Sequence, residues 1–540
     1  MVEKDLVMVR RVCLGSLLVI AICGWSVADE PVVKWPPRLL LNSDCGTPVF
    51  YRFDAPMNAD QLCRVLDDLP GTKVDAFLPC PQFSDDQFWF PTTVAESYDG
   101  RHVPDGKYED KYFKRVAENV KSLADRGIDP MIVWQQRARR HGLVFIPTLR
   151  MNDVHKDYVD RWPSLRSFWE RKRQHLLIGK QIPGWYPHPY KFSWAMDYAQ
   201  QEVRDRKLAI ITELCSRYDV DGFEMDFLRS NLFFRRGHES KGALLMNAFV
   251  GEVHRLLVRL GKQRKKTLRL VVRVPAYLPQ CREMGLDVPT WIREGLVDMV
   301  VPMAAGYLDM TADVGTFVKL ARGTGCKVAG GLEYYVRGYM KPGQRGITQA
   351  SIQMLRAGAA SFWERGVDAI YLFNYDCHGP FPFRGEKRQA LNEIHDPARL
   401  AGTDQRYLVA VEMNRRLPPG EGYMQLPREL TRPGQASQFT LVVGDDVPGK
   451  TGQRRSRLIL RTSLSKTGST TLGFRCNDRL IKPSIRRGGE FVFDDPPVRR
   501  GSNTLKVTLA GKAAVTVRLS EIELLIQRDL PELKPSKTGS

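Results

Sequence analysis

The chain has 540 residues, enough for two or three domains or for one barrel with an accessory module. Lysine and arginine number 81 against 61 aspartate and glutamate, and the resulting net charge of +20 favours acidic partners. No nucleic-acid motif accompanies the basic runs Arg171-Lys-Arg173 and Arg264-Lys-Lys-Thr-Leu-Arg269, so no nucleic acid is expected as a partner; anionic polysaccharide, an acidic cell surface or a generally basic proteome each fits the charge.

At the start, Arg10-Arg11 precede an apolar run from Val12 to Cys23, and Ser26-Val27-Ala28 offers small residues for cleavage. Residues 1–28 therefore read as a signal peptide, too short for a membrane span, with an uncleaved anchor as the alternative. The mature protein is expected to be secreted or periplasmic, with no stable membrane insertion. Of ten cysteines, Cys13 and Cys23 leave with the signal. The others show no CxxC pair and no zinc spacing, so no metal or other cofactor is called for. Cys45 and Cys80, at the ends of the first two strands, are the first candidates for a disulfide in an oxidising compartment.

Between residues 37 and 397, apolar runs alternate with longer helical stretches. The runs are Arg38–Ser43, Lys73–Pro79, Leu143–Leu149, Val220–Leu228, Thr267–Val274, Val297–Met303, Lys327–Leu332 and Asp368–Asn374. Helical patterns such as Glu109–Arg126, Tyr198–Arg217 and Lys241–Leu260 lie between them. Near-continuous Val/Ile/Leu/Phe runs are how strands covered on both faces read. Eight such units predict an α/β fold, a TIM-type (β/α)8 barrel with enlarged loops. A doubly wound sheet is the alternative, but no Gly-rich phosphate turn follows the first strand. Val-Asp opens four strands, at Val74-Asp75, Val220-Asp221, Val297-Asp298 and Val367-Asp368; these aspartates belong to the strand entrances, where side chains serve stability. After Pro397, short alternating runs separated by Gly/Pro/Asp turns predict a C-terminal β-sandwich over residues 405–528, with strands at Arg457–Ser463, Thr471–Arg475, Glu490–Phe493, Asn503–Ala510 and Ala514–Leu519. It shows no aromatic row for a sugar, so packing is its expected role. Residues 531–540 read as a disordered tail.

The most informative stretch is Tyr218-Asp-Val-Asp-Gly-Phe-Glu-Met-Asp-Phe-Leu-Arg229. Strand side chains alternate, so Glu224 and Asp226 share one face and Phe223, Met225 and Phe227 the other. Two acids in an apolar strand are costly unless paired with buried arginines or put to use. The carboxyl ends of the eight strands also bring Asp44, Arg150, Asp153, Arg229, Arg273, Glu333, Tyr334, Tyr335, Asn374, Tyr375 and Asp376 to one rim. Asp226 and Glu333, on the fourth and seventh strands, face each other across the predicted mouth and suit the two-carboxyl chemistry of glycoside hydrolysis. Glu224 sits a layer deeper, held by Arg273 or orienting Asp226. Asp44, Asp153 and Asp376 offer oxygen ligands for a cation, or stand as solvated rim acids. The insert after the third strand holds four of the ten tryptophans. Trp162 and Trp169 read as its own small core, and Trp185 and Trp194 as sugar-stacking candidates. A second long loop, Pro81–Pro104, offers Asp85, Asp86, Trp89 and Tyr98 to the same rim.

The stretch Trp194-Ala-Met-Asp-Tyr-Ala-Gln-Gln-Glu-Val-Arg-Asp205, followed by Tyr218-Asp-Val-Asp-Gly-Phe-Glu-Met-Asp226, resembles the glycosyl hydrolase-like 10 family of exported bacterial proteins, and Val300-Val-Pro-Met303 is similar as well. A wider resemblance is to retaining glycosidase barrels, including the amylase type, whose strand-four nucleophile aligns with Asp226. The match covers roughly residues 140–305, is looser over the rest of the barrel and is absent from the sandwich. It implies a glycosidase barrel acting on a polysaccharide or a peptidoglycan-type glycan. Three departures stand out. Glu224 replaces the arginine of the amylase pattern two residues before the nucleophile. Arg273-Val-Pro275 carries no acid in the amylase acid/base place. In the chitinase pattern the catalytic glutamate would fall at Leu228. The proton-donor role accordingly goes to Glu333, with exchange of roles open. The rival readings are a catalytically silent barrel that binds glycan or a surface partner, and a metal-dependent hydrolase built on scattered His155, His175, His188 and His378.

Overall fold

The protein is seen in a computed structural model that describes residues 35–101, 110–154, 163–182, 193–337, 347–377, 382–409, 425–447, 454–464, 471–510 and 516–530. The signal segment 1–28, Tyr158, Trp162, Trp185, His155, His188, His378 and the tail 531–540 lie outside the described residues.

Nine parallel strands form one curled sheet. In chain order they are β1 (Leu39–Ser43), β2 (Ala76–Pro79), β3 in two pieces (Val144–Phe145 and Thr148–Arg150), β4 (Gly222–Asp226), β5 (Arg269–Pro275), β6 (Met299–Met303), β7 (Lys327–Glu333) and β8 (Ala369–Phe373). β1 pairs with β8 on one side and with β2 on the other. The first piece of β3 pairs with β2 and the second with β4, and only Ile146-Pro147 separates the pieces. The two ends of the sheet are thus one stretch of chain. Proline lacks an N–H for the ladder, which accounts for the break in β3. The eight predicted apolar runs each coincide with a strand, shortened by up to three residues at the entrance.

Helices cover the outside: α1 (Lys111–Ala124), α2 (Pro130–Arg140), α3 (Gln201–Arg217), α4 (Glu239–Arg264) and α5 (Ile352–Glu364). Their starts follow ordinary capping chemistry. The side chains of Asp110, Asp129 and Ser351 accept backbone N–H bonds in the first turns of α1, α2 and α5, where four donors would otherwise be orphaned. α3 turns Val203, Ile210, Ile211 and Leu214 inward, and α4 turns Met246, Phe249, Val250, Val253 and Leu257 inward. Burying such side chains is worth roughly 1.5–3 kcal/mol each.

The entrance aspartates behave alike. Asp75, Asp221, Asp298 and Asp368 each donate a backbone N–H to one carbonyl of the preceding strand, that of Leu39, Phe145, Leu270 and Val328, at 2.8–2.9 Å. Each also accepts the N–H of that same residue on its carboxylate, at 3.2, 2.8, 2.8 and 2.9 Å. One aspartate therefore brackets one residue of its neighbour from both sides, once in every second strand.

The C-terminal part forms two antiparallel sheets. One contains Gln405–Leu408, Val517–Gln527, Arg455–Leu464, Glu490–Asp494 and Ile485–Arg487, with Arg428–Leu430 also on Val517–Gln527; the other runs Ala436–Val443, Gly501–Ala510, Thr471–Cys476 and Arg479–Ile481. The expected run Ala514–Leu519 instead begins at Val517 and continues to Gln527. α5 packs against Gln405–Leu408 and Ala436–Val443. The approach is close: a Cβ on Gly444 would lie 2.0 Å from the Ala360 carbonyl oxygen. Arg500 joins Glu364 across the same boundary at 2.7 Å. No helix among the described residues is long and apolar enough to cross a membrane.

Candidate active site

Glu224 and Asp226 point into the sheet's interior, as the alternation requires. Asp226, 1% exposed, is clasped by Arg273 of β5: Nε reaches Oδ1 at 3.0 Å and Nη2 reaches Oδ2 at 2.7 Å. The register places these residues side by side on paired strands. The Leu228 N–H adds a third bond at 2.7 Å. Arg273 is itself wedged in place, its guanidinium 3.8 Å from the Phe373 ring centre and 3.3 Å from the Met303 sulfur. Met303 reaches inward over Gly331, where a Cβ would come within 2.4 Å of its own.

The expected Arg273–Glu224 pair is not formed, because the guanidinium is level with Asp226 and both its forward donors are spent there. Glu224 is fully buried, and its Oε1 accepts from Thr148 at 2.6 Å, Tyr371 at 3.0 Å and Asn42 at 3.4 Å. Burial and then the neighbouring Asp226 push its carboxyl up to about 7, against the pull of Thr148, Arg273 and Tyr371. Asn42, Thr148 and Tyr371 were not singled out in the sequence. Their signal was there: each is a polar side chain interrupting an otherwise apolar strand.

A second group of acids gathers where β1, β7 and β8 end. Asp376 is 3% exposed and accepts from the Ser43 hydroxyl at 2.6 Å. Burial, with Asp44 adding to it, pushes Asp376 up to about 7 despite the Ser43 bond. The Cys377 thiol donates to Asp44 at 3.2 Å. Burial raises the half-buried Tyr335 phenol, and Glu333, Cys377 and Asp44 raise it further. Glu333 is 3% exposed, and Asn374 turns the chain out of β8 at φ 49°. The expectation of solvated rim acids is corrected for Asp153 and Asp376, which are buried; Asp44 keeps a quarter of its side chain exposed.

Arg150, on the second piece of β3, holds Asp153 at 2.9 Å, and Arg229 approaches the other oxygen at 3.4 Å. Asp85 accepts the Asp153 N–H at 2.6 Å and pairs with Lys207, while Asp86 pairs with Arg206. Trp89 and Tyr98 are buried rather than open to solvent at the rim, the Trp89 indole N–H donating to the Cys80 carbonyl just past β2 at 3.1 Å. They stack with Phe83 and, for Trp89, Phe50, in a buried aromatic knot under their own loop. Trp194 is half-buried, with the Arg166 guanidinium 3.5 Å from its ring centre, so one face of this proposed stacking residue is already covered. Arg173 and Arg206 lie 5.0 and 5.1 Å from the Trp169 ring centre. Cys45 and Cys80 are buried free thiols rather than a disulfide, and burial raises both. Among the described residues, no group of three His, Cys, Asp or Glu is set to hold a metal ion.

No family model matches the chain, and no curated protein matches it. Solved structures with some likeness include a cycloisomaltooligosaccharide glucanotransferase from Paenibacillus sp. (10% identity over 90% of this chain and 57% of that one, TM-score 0.34). A chitinase from Paenibacillus sp. gives 9% identity over 88% and 52%, TM-score 0.40. An α-amylase from Geobacillus thermoleovorans gives 11% over 88% and 99%, TM-score 0.40. The chain spans a little over half the length of the first two. Likenesses this weak carry no weight for activity.

Proposed function

We propose that the protein is an exported glycoside hydrolase built on a (β/α)8 barrel, with Asp226 as nucleophile or base and Glu333 as proton donor, or with those roles exchanged. The observation that carries this reading is the Arg273–Asp226 clasp at the carboxyl end of β4. It fixes the orientation of one carboxylate on the strand end where barrel chemistry is done, and Glu333 closes β7 on the same side of the sheet. Glu224 supports Asp226 from below, and Asp44, Arg150, Asp153, Arg229, Tyr335, Asn374 and Asp376 line the approach for a sugar. Residues 405–528 act as a packing module through α5.

The test is a screen of the mature protein against neutral, uronic and sulfated polysaccharides, followed by D226N and E333Q on the responsive glycan. Each substitution should lower turnover about 10²–10⁴-fold with the fold retained. Wild-type turnover in both variants overturns the assignment. A second reading, a silent glycan-binding barrel, is favoured by the same clasp, since Arg273 occupies both oxygens of Asp226. Calorimetric glycan binding without any product marks that outcome.

A further inference from the structure

The outward face of α4 carries a feature that the proposed chemistry does not use. His254, Val258 and Lys262 follow one another at four-residue spacing, and so do Arg255, Arg259 and Gln263. Together these two ridges flank a shallow groove of about 490 Å³. Val258, 40% exposed, is the apolar member of the first row. The cationic stretch from Arg255 to Lys262 is about 10 Å long at about 1.5 Å per residue.

Several arginines of this protein meet carboxylates, among them Arg137, Arg139, Arg206, Arg217, Arg356 and Arg461. Arg255, Arg259 and Lys262 meet none among the described residues. Like charges three and four residues apart destabilise an exposed helix by a few tenths of a kcal/mol per pair, and a face shaped for stability alone would interleave acids. Attraction to the carboxyl end of the helix dipole covers only the last turn, hence Lys262 but not Arg255 or Arg259. The groove is also remote from the mouth. α4 follows β4 and runs back to the start of β5, and just beyond the groove Arg264 bonds the Ser216 and Tyr218 carbonyls at the entrance of β4.

We propose that this groove binds a segment of acidic polysaccharide, its carboxylate or sulfate groups on Arg255, Arg259 and Lys262 and a sugar C–H face on Val258. The choice of a polysaccharide rests on the glycosidase reading; the choice of an anion rests on the groove itself. A single helix face with one valine between cations suits a narrow charged chain, and the site holds an acidic polymer while the mouth works elsewhere on it.

The experiment measures binding of polygalacturonate and of heparin to the full mature chain at low and physiological salt, with D226N and the double variant R255E/R259E alongside. Both substituted arginines are exposed, so the double variant should fold and keep any wild-type turnover on a small neutral substrate. Wild type and D226N should bind one of the two polymers equally, with affinity falling as salt rises. R255E/R259E should bind about tenfold or more weakly. Equal binding by the double variant, no binding of either polymer by wild type, or binding to phosphatidylglycerol vesicles alone overturns the proposal. Retained groove binding in a protein that hydrolyses no glycan would leave the groove standing and remove only the enzyme reading.

Discussion

The two ends of the curled sheet treat their carboxylates in opposite ways. At the entrance, each of four aspartates is met by two hydrogen bonds from one neighbouring residue, and three of them also have a cation within 4 Å. At the exit, charges are unevenly matched: one arginine faces both Glu224 and Asp226, and Asp376 shares its surroundings with Asp44. The entrance acids meet backbone N–H groups and part-exposed cations, Arg139 and Lys266 each serving both Asp219 and Asp221, whereas buried acids with few cations at the exit keep groups poised to change protonation.

The sharpest way to break this contrast is to remove the arginine that clasps Asp226. R273A leaves two buried carboxyls with no counter-charge and should cost about 3–5 kcal/mol, read as a fall in the denaturation midpoint. A loss below 1 kcal/mol would mean that the clasp holds nothing together. Next comes pH. Glu224 moves from 4.5 unfolded to about 7 folded, so the folded state holds its proton more tightly. Its contribution is complete below pH 4.5 and disappears as pH rises through 7, a swing of about 3 kcal/mol. E224Q should remove that slope, and stability curves of wild type and E224Q that stay parallel from pH 4 to 8 would show that Glu224 does not titrate there. D298A, at the entrance, should cost about 1–2 kcal/mol for the unmet Leu270 N–H and the loss of Arg269. It should leave kcat on any responsive glycan unchanged; a fall in kcat at temperatures where the variant is fully folded would erase the distinction between the two ends. The smallest effect is expected from R166A, about 0.5–1 kcal/mol, with a changed Trp194 emission as the covered ring face is freed.

Much of this was legible in the amino acids. Eight apolar runs marked eight strands because parallel strands covered on both faces have no polar side to interrupt them. The Val-Asp repeat marked the entrances of every second strand, where one aspartate brackets a residue of the strand before it. What a run cannot state is which polar residues meet across the interior. Arg273 was equally able to hold Glu224 or Asp226, and register decided for Asp226. Trp89 and Tyr98 read as rim residues because a loop's own core has no period. In the sandwich, Ala436–Val443 was missed although Phe439, Leu441 and Val443 bury alternate positions. Arg479–Ile481 and Ile485–Arg487 are short, mostly exposed and arginine-bearing, and carry no apolar signature at all.

The fourfold bracketing also bears on how the curled sheet is assembled. Each latch joins an odd-numbered strand to the even-numbered one that follows it, and so fixes the alignment within that couple. The chain therefore divides into four near-equivalent quarters, and breaks between quarters spare all four latches. A permuted chain with new termini between β4 and β5 should assemble as the parent does, whereas one opened between β5 and β6 must recover the Asp298–Leu270 alignment across severed ends.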